Sequence, residues 1–266
     1  VREQQQRAML MQLFSKHVSP EIADTIWRQR EDFLAGGRLR SQKATATIFF
    51  SDLKNFTPIS EKLDTQALMD WINDYMEIMA QLVMKHGGVV DDYYGDAIKA
   101  NFGVPFAQAS AERISRDATR AVECALAMGT ELRRLNEVWS SQGLPPVGMR
   151  IGIYTGEVVA GCVGSSQRLK FTTIGDTVNT ASRLESFEKE LGTDDLKNNP
   201  CRILIGDSTA DAQSRSEPAP QHRHEGQRTG RREPRCDRRQ HRLPLQQRGA
   251  GLEQPRHCLV GVRPPV

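Results

Sequence analysis

Two aspartates have the type and setting for phosphate chemistry. Asp52 closes the run Ala44-Thr45-Ala46-Thr47-Ile48-Phe49-Phe50-Ser51, whose β-branched and aromatic residues predict a buried strand. Asp96 follows Gly95 between Val89-Val90-Asp91-Asp92-Tyr93-Tyr94 and Ala97-Ile98-Lys99-Ala100-Asn101-Phe102, a composition that predicts a β-hairpin with a tight turn. A strand-end carboxylate beside a hairpin-turn carboxylate presents two hard oxygen ligands to Mg²⁺, with triphosphate oxygens completing the shell. Each also has an ordinary use: Asp52 as a cap on the next helix or turn, Gly95-Asp96 as plain turn residues.

The elements that must position this pair can be read from periodicity. A helix is expected after Pro58, capped by Asp64, with Leu68, Trp71, Ile72, Tyr75, Ile78, Met79, Leu82 and Val83 at three- and four-residue steps. His86-Gly87-Gly88 ends it, with His86 as a partner of the helix dipole. A second helix is expected over residues 109–139, before the break at Gly143-Leu144-Pro145-Pro146. Residues 147–163 read as another hairpin turning at Thr155-Gly156, residues 168–173 as a strand, 177–190 as a helix, and 201–205 as the last strand. This order predicts an α+β fold: a ferredoxin-like antiparallel sheet with helices on one face.

Three separated motifs give the reading its specificity. They are Phe49-x-x-Asp52-x-x-x-Phe56-Thr57, then Tyr94-Gly95-Asp96-Ala97, then Ile174-Gly175-Asp176-Thr177-Val178-Asn179-Thr180-Ala181-Ser182-Arg183-Leu184-Glu185. In this order they resemble the catalytic domain of bacterial-type class III nucleotidyl (adenylyl/guanylyl) cyclases, over residues 43–207. The resemblance implies the same core fold and a lyase that turns a nucleoside triphosphate into a 3′,5′-cyclic nucleotide and pyrophosphate. It implies two Mg²⁺ or Mn²⁺ ions on Asp52 and Asp96, with the Leu53 carbonyl assisting. Asn179 and Arg183, four residues apart on a predicted helix, share a face; the Asn would orient the ribose and the Arg would meet charge growing at the α-phosphate. Arg150 matches an arginine that contacts the terminal phosphates. In dimers of the family the metal aspartates and the Asn/Arg pair come from opposite subunits, so a homodimer is implied.

The purine-selecting position departs from the family. Asp92 stands where adenylyl cyclases usually have Lys and guanylyl cyclases Glu, and Thr172 matches its partner position. A carboxylate there favours guanine, which offers N1–H and an amine. The Thr and the bacterial base rate favour ATP, which is placed first, with GTP as the alternative. A third reading is a catalytically impaired regulatory domain that only dimerises. Polymerases and cyclic-dinucleotide synthases share the two-Asp logic but not Asn179-x-x-x-Arg183.

Composition sets the remaining bounds. The 266 residues suffice for one or two domains, and 38% hydrophobic residues with a mean hydropathy of −0.53 are low for a single core. The net charge of +3 is uneven: residues 1–210 carry 24 Lys and Arg against 27 Asp and Glu, and residues 211–266 carry 12 against 6. The basic excess therefore lies in the tail, and no nucleic-acid partner is expected. The five cysteines form no C-x-x-C pair, which reads as reduced thiols. With no apolar run of ~18 residues and no leader signal, a cytoplasmic domain is expected, its parent protein tethered to the membrane at most through an upstream segment.

Residues 1–42 read as a helical segment: a first helix from Arg2 to Phe14, then a second capped by Ser19-Pro20 with Val18, Ile22 and Ile26 on one stripe, stopped by Gly36-Gly37. It reads either as an amphipathic helix packed on its own domain or as a linker that couples an upstream sensor to the dimer, and the start at Val1 suits a fragment of a longer protein. Residues 43–210 are the expected catalytic domain. Residues 211–266 hold 12 Arg, seven Pro, seven Gln and no Lys, Phe, Trp or Tyr, a composition expected to be disordered. The family normally supplies closing strands and a phosphate-binding lysine there, and the abrupt change fits out-of-frame translation of a GC-rich message.

Overall fold

The computed structural model describes residues 34–35, 38–39, 41–105, 110–165, 168–187, 196, 199–214 and 257–260. The helices expected over residues 1–35 lie outside these, except that residues 34–35 are strand. β1 (Leu34–Ala35) and β2 (Arg38–Leu39) pair antiparallel on either side of the Gly36-Gly37 dipeptide. β3 (Gln42–Lys54) then runs through the middle of the main sheet and carries Asp52 close to its end.

Helix α1 (Thr57–Lys62) has Pro58 in its first turn, where a missing N–H costs nothing. Helix α2 (Thr65–Lys85) starts where the Asp64 carboxylate accepts from the Ala67 N–H at 2.9 Å, as its sequence predicts. β4 (Val89–Tyr94) and β5 (Ala97–Phe102) form the expected hairpin, with Tyr94 paired to Ala97 and Gly95 at φ 66° in the turn. That left-handed conformation is open to glycine without a Cβ penalty. Helix α3 (Ala111–Ser141) is capped by the Ser110 hydroxyl.

The hairpin expected over residues 147–163 is instead one strand, β6 (Gly148–Ser165), with no turn at Thr155-Gly156. It pairs with all of β3, from Gln42↔Ala160 to Lys54↔Gly148. Its last third pairs with β7 (Arg168–Ile174). Continuous pairing on both halves holds the strand straight, and Thr155-Gly156 serves close packing. A Cβ built on Gly156 would lie 2.7 Å from the Thr177 hydroxyl. Helix α4 (Asp176–Ser186) recrosses the sheet, so that β8 (Cys201–Gly206) lies parallel to β6. Helix α5 (Asp207–Ser214) comes next, and β9 (His257–Val260) adds to β8 antiparallel. The strand order is β4-β5-β3-β6-β8-β9, with β7 on β6.

The α+β class stands as expected, with two differences of detail. The sheet contains the parallel β6–β8 pair, because a helical crossover separates those strands. Its helices also lie on both faces. Phe49, Ile151, Ile153 and Ile203 pack with Trp71, Tyr75 and Met79 of α2 and Met128 and Leu132 of α3. The alternate residues Ala46 and Ile48 pack with Ala181 of α4 on the opposite side. Of the tail expected to be disordered, residues 211–214 end α5 and residues 257–260 are β9; the rest lies outside the described residues. Cys124, Cys162 and Cys201 are free thiols. Among the described residues no helix is long and apolar enough to cross a membrane.

Candidate active site

Strand alternation sorts the site. Phe50 faces Gly152 and Asp52 faces Arg150 across the β3–β6 ladder, so all four side-chain positions share one face of the sheet. Helix α4 lies on that face because Gly152 leaves room for it. A Cβ there would stand 2.2 Å from the Glu185 backbone nitrogen and 2.3 Å from the Ala181 carbonyl oxygen.

The two aspartates are brought together. Asp96, in the β4–β5 turn, sits close enough to Asp52 that burial and, after it, the Asp52 charge push its carboxyl above the usual range. The Leu53 backbone hydrogen-bonds the same carboxylate and partly offsets this. Two half-buried carboxylates that repel each other form a donor set that a divalent cation would relieve. Among the described residues no group of three or more His, Cys, Asp and Glu side chains forms a closed cage. A pair of carboxylates with the Leu53 carbonyl leaves coordination positions for phosphate oxygens, so the residues present fit two hard cations shared with a triphosphate.

Arg150 is the third member of this group. Its Nη2 donates to Asp52 Oδ2, and its Nε donates to Glu185 Oε1 at 3.0 Å. Burial disfavours its charge, but Glu185 and Asp52 hold the guanidinium protonated beyond its ordinary value. The side chain expected to meet terminal phosphates is thus clamped between two carboxylates.

Asn179 and Arg183 are not brought to the aspartates. Ala181 and Glu185 turn towards the sheet, and residues two positions away lie about 200° round the helix. Asn179 and Arg183 are accordingly exposed on the outer side of α4. The structure therefore keeps two groups apart on one chain: a half-buried carboxylate pair, and an outward amide–guanidinium pair.

The sequence matches the family model of the adenylate and guanylate cyclase catalytic domain over residues 40–194. The chain belongs to that family. Among similar cyclases, adenylate cyclase 1 of Rhizobium meliloti is 36% identical over 158 residues, which is 59% of this chain and 23% of that protein. The adenylate cyclase of Anabaena cylindrica is 35% identical over 166 residues, 61% of this chain and 29% of that protein. The chain thus spans less than a third of these curated relatives. The crystal structure of the adenylyl cyclase CyaB from P. aeruginosa superposes with a TM-score of 0.58 at 35% identity, covering 66% of this chain and 84% of that one. That of the guanylyl cyclase Cya2 gives a TM-score of 0.55 at 36% identity, over 65% and 80%.

The pair expected at the purine behaves differently in this cyclase domain. Thr172 does not meet Asp92. Its hydroxyl donates to Asp91 Oδ2 at 2.9 Å and accepts from Lys99 Nζ at 3.1 Å. Lys99 also pairs with Asp91 at 2.6 Å and donates to the Thr173 carbonyl at 3.0 Å. The Asn101 amide donates to Asp91 Oδ2 at 3.0 Å. Burial alone would raise the Asp91 carboxyl, but Lys99 and Asn101 hold it below the usual carboxylate range. Asp92 instead pairs with Lys170 at 2.5 Å.

Four participants carry no role legible from the motifs: Glu185, Asp91, Lys99 and Lys170. Lys99 left a usable signal, since an ammonium inside Ala97-Ile98-Lys99-Ala100 on a buried strand demands a buried partner. Glu185 left none, because its partner Arg150 lies on a different element.

Proposed function

We propose that this domain converts ATP to 3′,5′-cyclic AMP and pyrophosphate, at a site shared by two copies of the chain. The observation that carries the reading is the Asp52–Asp96 pair, held by adjacent strands with the Leu53 backbone between them. Two divalent cations, Mg²⁺ or Mn²⁺, on these oxygens would neutralise the triphosphate and acidify the ribose 3′-hydroxyl. The 3′-oxygen attacks the α-phosphorus, a new O–P bond forms, and the bond to the bridging oxygen of pyrophosphate breaks.

This chain's residues do the rest. Asp52 and Asp96 fix where the α-phosphate stands. Arg150 exchanges Asp52 for a phosphate oxygen when the carboxylate is otherwise engaged, a bidentate contact suited to guanidinium. Glu185 keeps the Arg150 side chain in place through Nε. Asn179 and Arg183 face outward, so they serve the carboxylate pair of a second copy, where Asn179 orients the ribose and Arg183 stabilises charge developing at the α-phosphate. Both substrates' names attach to similar proteins: an adenylyl cyclase and a guanylyl cyclase both superpose on the fold.

The GTP reading rests on the Asp92 carboxylate, which Lys170 neutralises here. ATP is therefore the better-supported substrate. Incubation of the purified protein with each nucleotide and Mn²⁺, with the product identified by chromatography and mass, is the test. Cyclic AMP as the main product supports the reading, and its absence overturns it.

A further inference from the structure

Purine selection in cyclases of this type is expected from positions 92 and 172, and in this structure both already have partners among neighbouring side chains. Asp92 already has two partners: Oδ2 pairs with Lys170 at 2.5 Å and Oδ1 accepts from the Tyr93 N–H at 3.1 Å. Thr172 has given its one proton to Asp91 and accepts from Lys99. Lys99 has three partners for three donors and is 3% exposed. It holds the cluster from beneath and cannot reach a ligand.

Lys170 is different. It stands on β7 two residues before Thr172, so both side chains project from the same face of the strand. Its ammonium lies 2.5 Å from Asp92 and 3.3 Å from Asp91, and its side chain is 38% exposed. Two carboxylates on one side orient an ammonium that carries three protons. That leaves the ammonium a donor to spare, and the partial exposure of the side chain opens it to a ligand.

We infer that Lys170 is the purine-reading residue of this domain, supplying from β7 the donor that position 92 lacks. The inference rests on the reading of the domain as a nucleotide cyclase and deepens it. The chemistry selects adenine. Adenine N1 is an acceptor and matches an ammonium proton. Guanine carries N1–H and a 2-amine, both donors, which face the ammonium donor to donor, and the Asp92 charge that could attract them is neutralised by Lys170. Asp92 and Asp91 are positioning residues: they hold Lys170 by charge and do not touch the base.

The test compares ATP with GTP in the full chain, by kcat/KM with Mn²⁺ and by displacement of a fluorescent ATP analogue in the presence of Ca²⁺. Lys170→Met removes the donor and keeps the stem. It is expected to lower the ATP:GTP ratio about ten- to a hundredfold in both measurements, as an unmatched polar contact does. Lys170→Gln is a second variant with the same expectation. Exchanging the pair, Asp92→Lys with Lys170→Asp, keeps one ammonium and one carboxylate in place and is expected to restore most of the preference. A purely structural role for the pair would change stability and leave the ratio alone. An unchanged ratio in both single variants overturns the inference. If the wild-type protein forms no cyclic product, the cyclase reading fails, and the displacement ratios still decide the role of Lys170.

Discussion

Gly152→Ala should separate helix placement from general stability. The added Cβ would meet two backbone atoms of α4, at 2.2 and 2.3 Å, where ordinary contact begins at 3.4 Å. Backbone cannot rotate aside as a side chain can, so α4 must move out by about 1 Å, the shortfall between those contacts. Overpacking of this kind costs about 1–3 kcal/mol, roughly 3–10 °C in Tm for a domain of this size. The same movement displaces Asn179 and Arg183, and a misplacement near 1 Å can cost about a hundredfold in rate. Gly143→Ala is the control. It sits at positive φ, 78°, but nothing lies within 4 Å of its Cβ. It should lower stability by about 1 kcal/mol through backbone strain, seen as a lower Tm, and leave kcat alone. The assays are thermal unfolding and steady-state cyclase kinetics on both variants. A normal kcat in Gly152→Ala would refute the idea that α4 packing sets the catalytic geometry.

Two further variants probe the carboxylates of the same sheet. Asp96→Asn should abolish turnover yet raise the metal-free Tm, because the raised Asp96 carboxyl signals a folded state that disfavours ionisation; that cost is absent below the unfolded carboxyl value and grows as pH rises towards and through the folded one. Addition of Mn²⁺ should raise the Tm of the wild-type protein and not of this variant, as measured by scanning fluorimetry. Asp91→Ala should strip the buried Lys99 of its counter-charge and cost about 3–5 kcal/mol in urea unfolding, with a negligible loss refuting the assigned ion pair. Since the Asp91 carboxyl is held low, its contribution should be present above the ordinary Asp range and disappear as pH falls through the folded value.

The local elements were legible because their signals are local. Asp64 as a cap, the stripe through Trp71 and Met79, and the Gly95-Asp96 turn each depend on a few neighbouring residues, and each stands where expected. The aspartate pair was legible because the strand end and the hairpin turn are adjacent in any sheet that pairs β3 with β5. The long β6 strand was not. Thr155-Gly156 carries a turn composition, and only the approach of Thr177 from α4 shows why the glycine is there. The purine end was harder to read for a related reason. Counting from Asp96 gives position 92 but not the bulge between Val90 and Asp92, which turns Asp91 onto Lys99 and Thr172. Lys170, on another element, then takes the charge of Asp92. Neither a bulge nor a cross-element ion pair has a sequence period.

Mixing two inactive variants tests the shared site most directly. Asp96→Ala removes one carboxylate of the metal pair, and Arg183→Ala removes the outward guanidinium of α4. Neither homodimer should make cyclic AMP from ATP and Mn²⁺. In the heterodimer one of the two composite sites keeps both wild-type halves, so the mixture should recover activity in proportion to the heterodimer formed. Recovery would put the aspartates and Arg183 in opposite copies of one site. No recovery, with heterodimer present by native mass spectrometry, would contradict a site built from two chains.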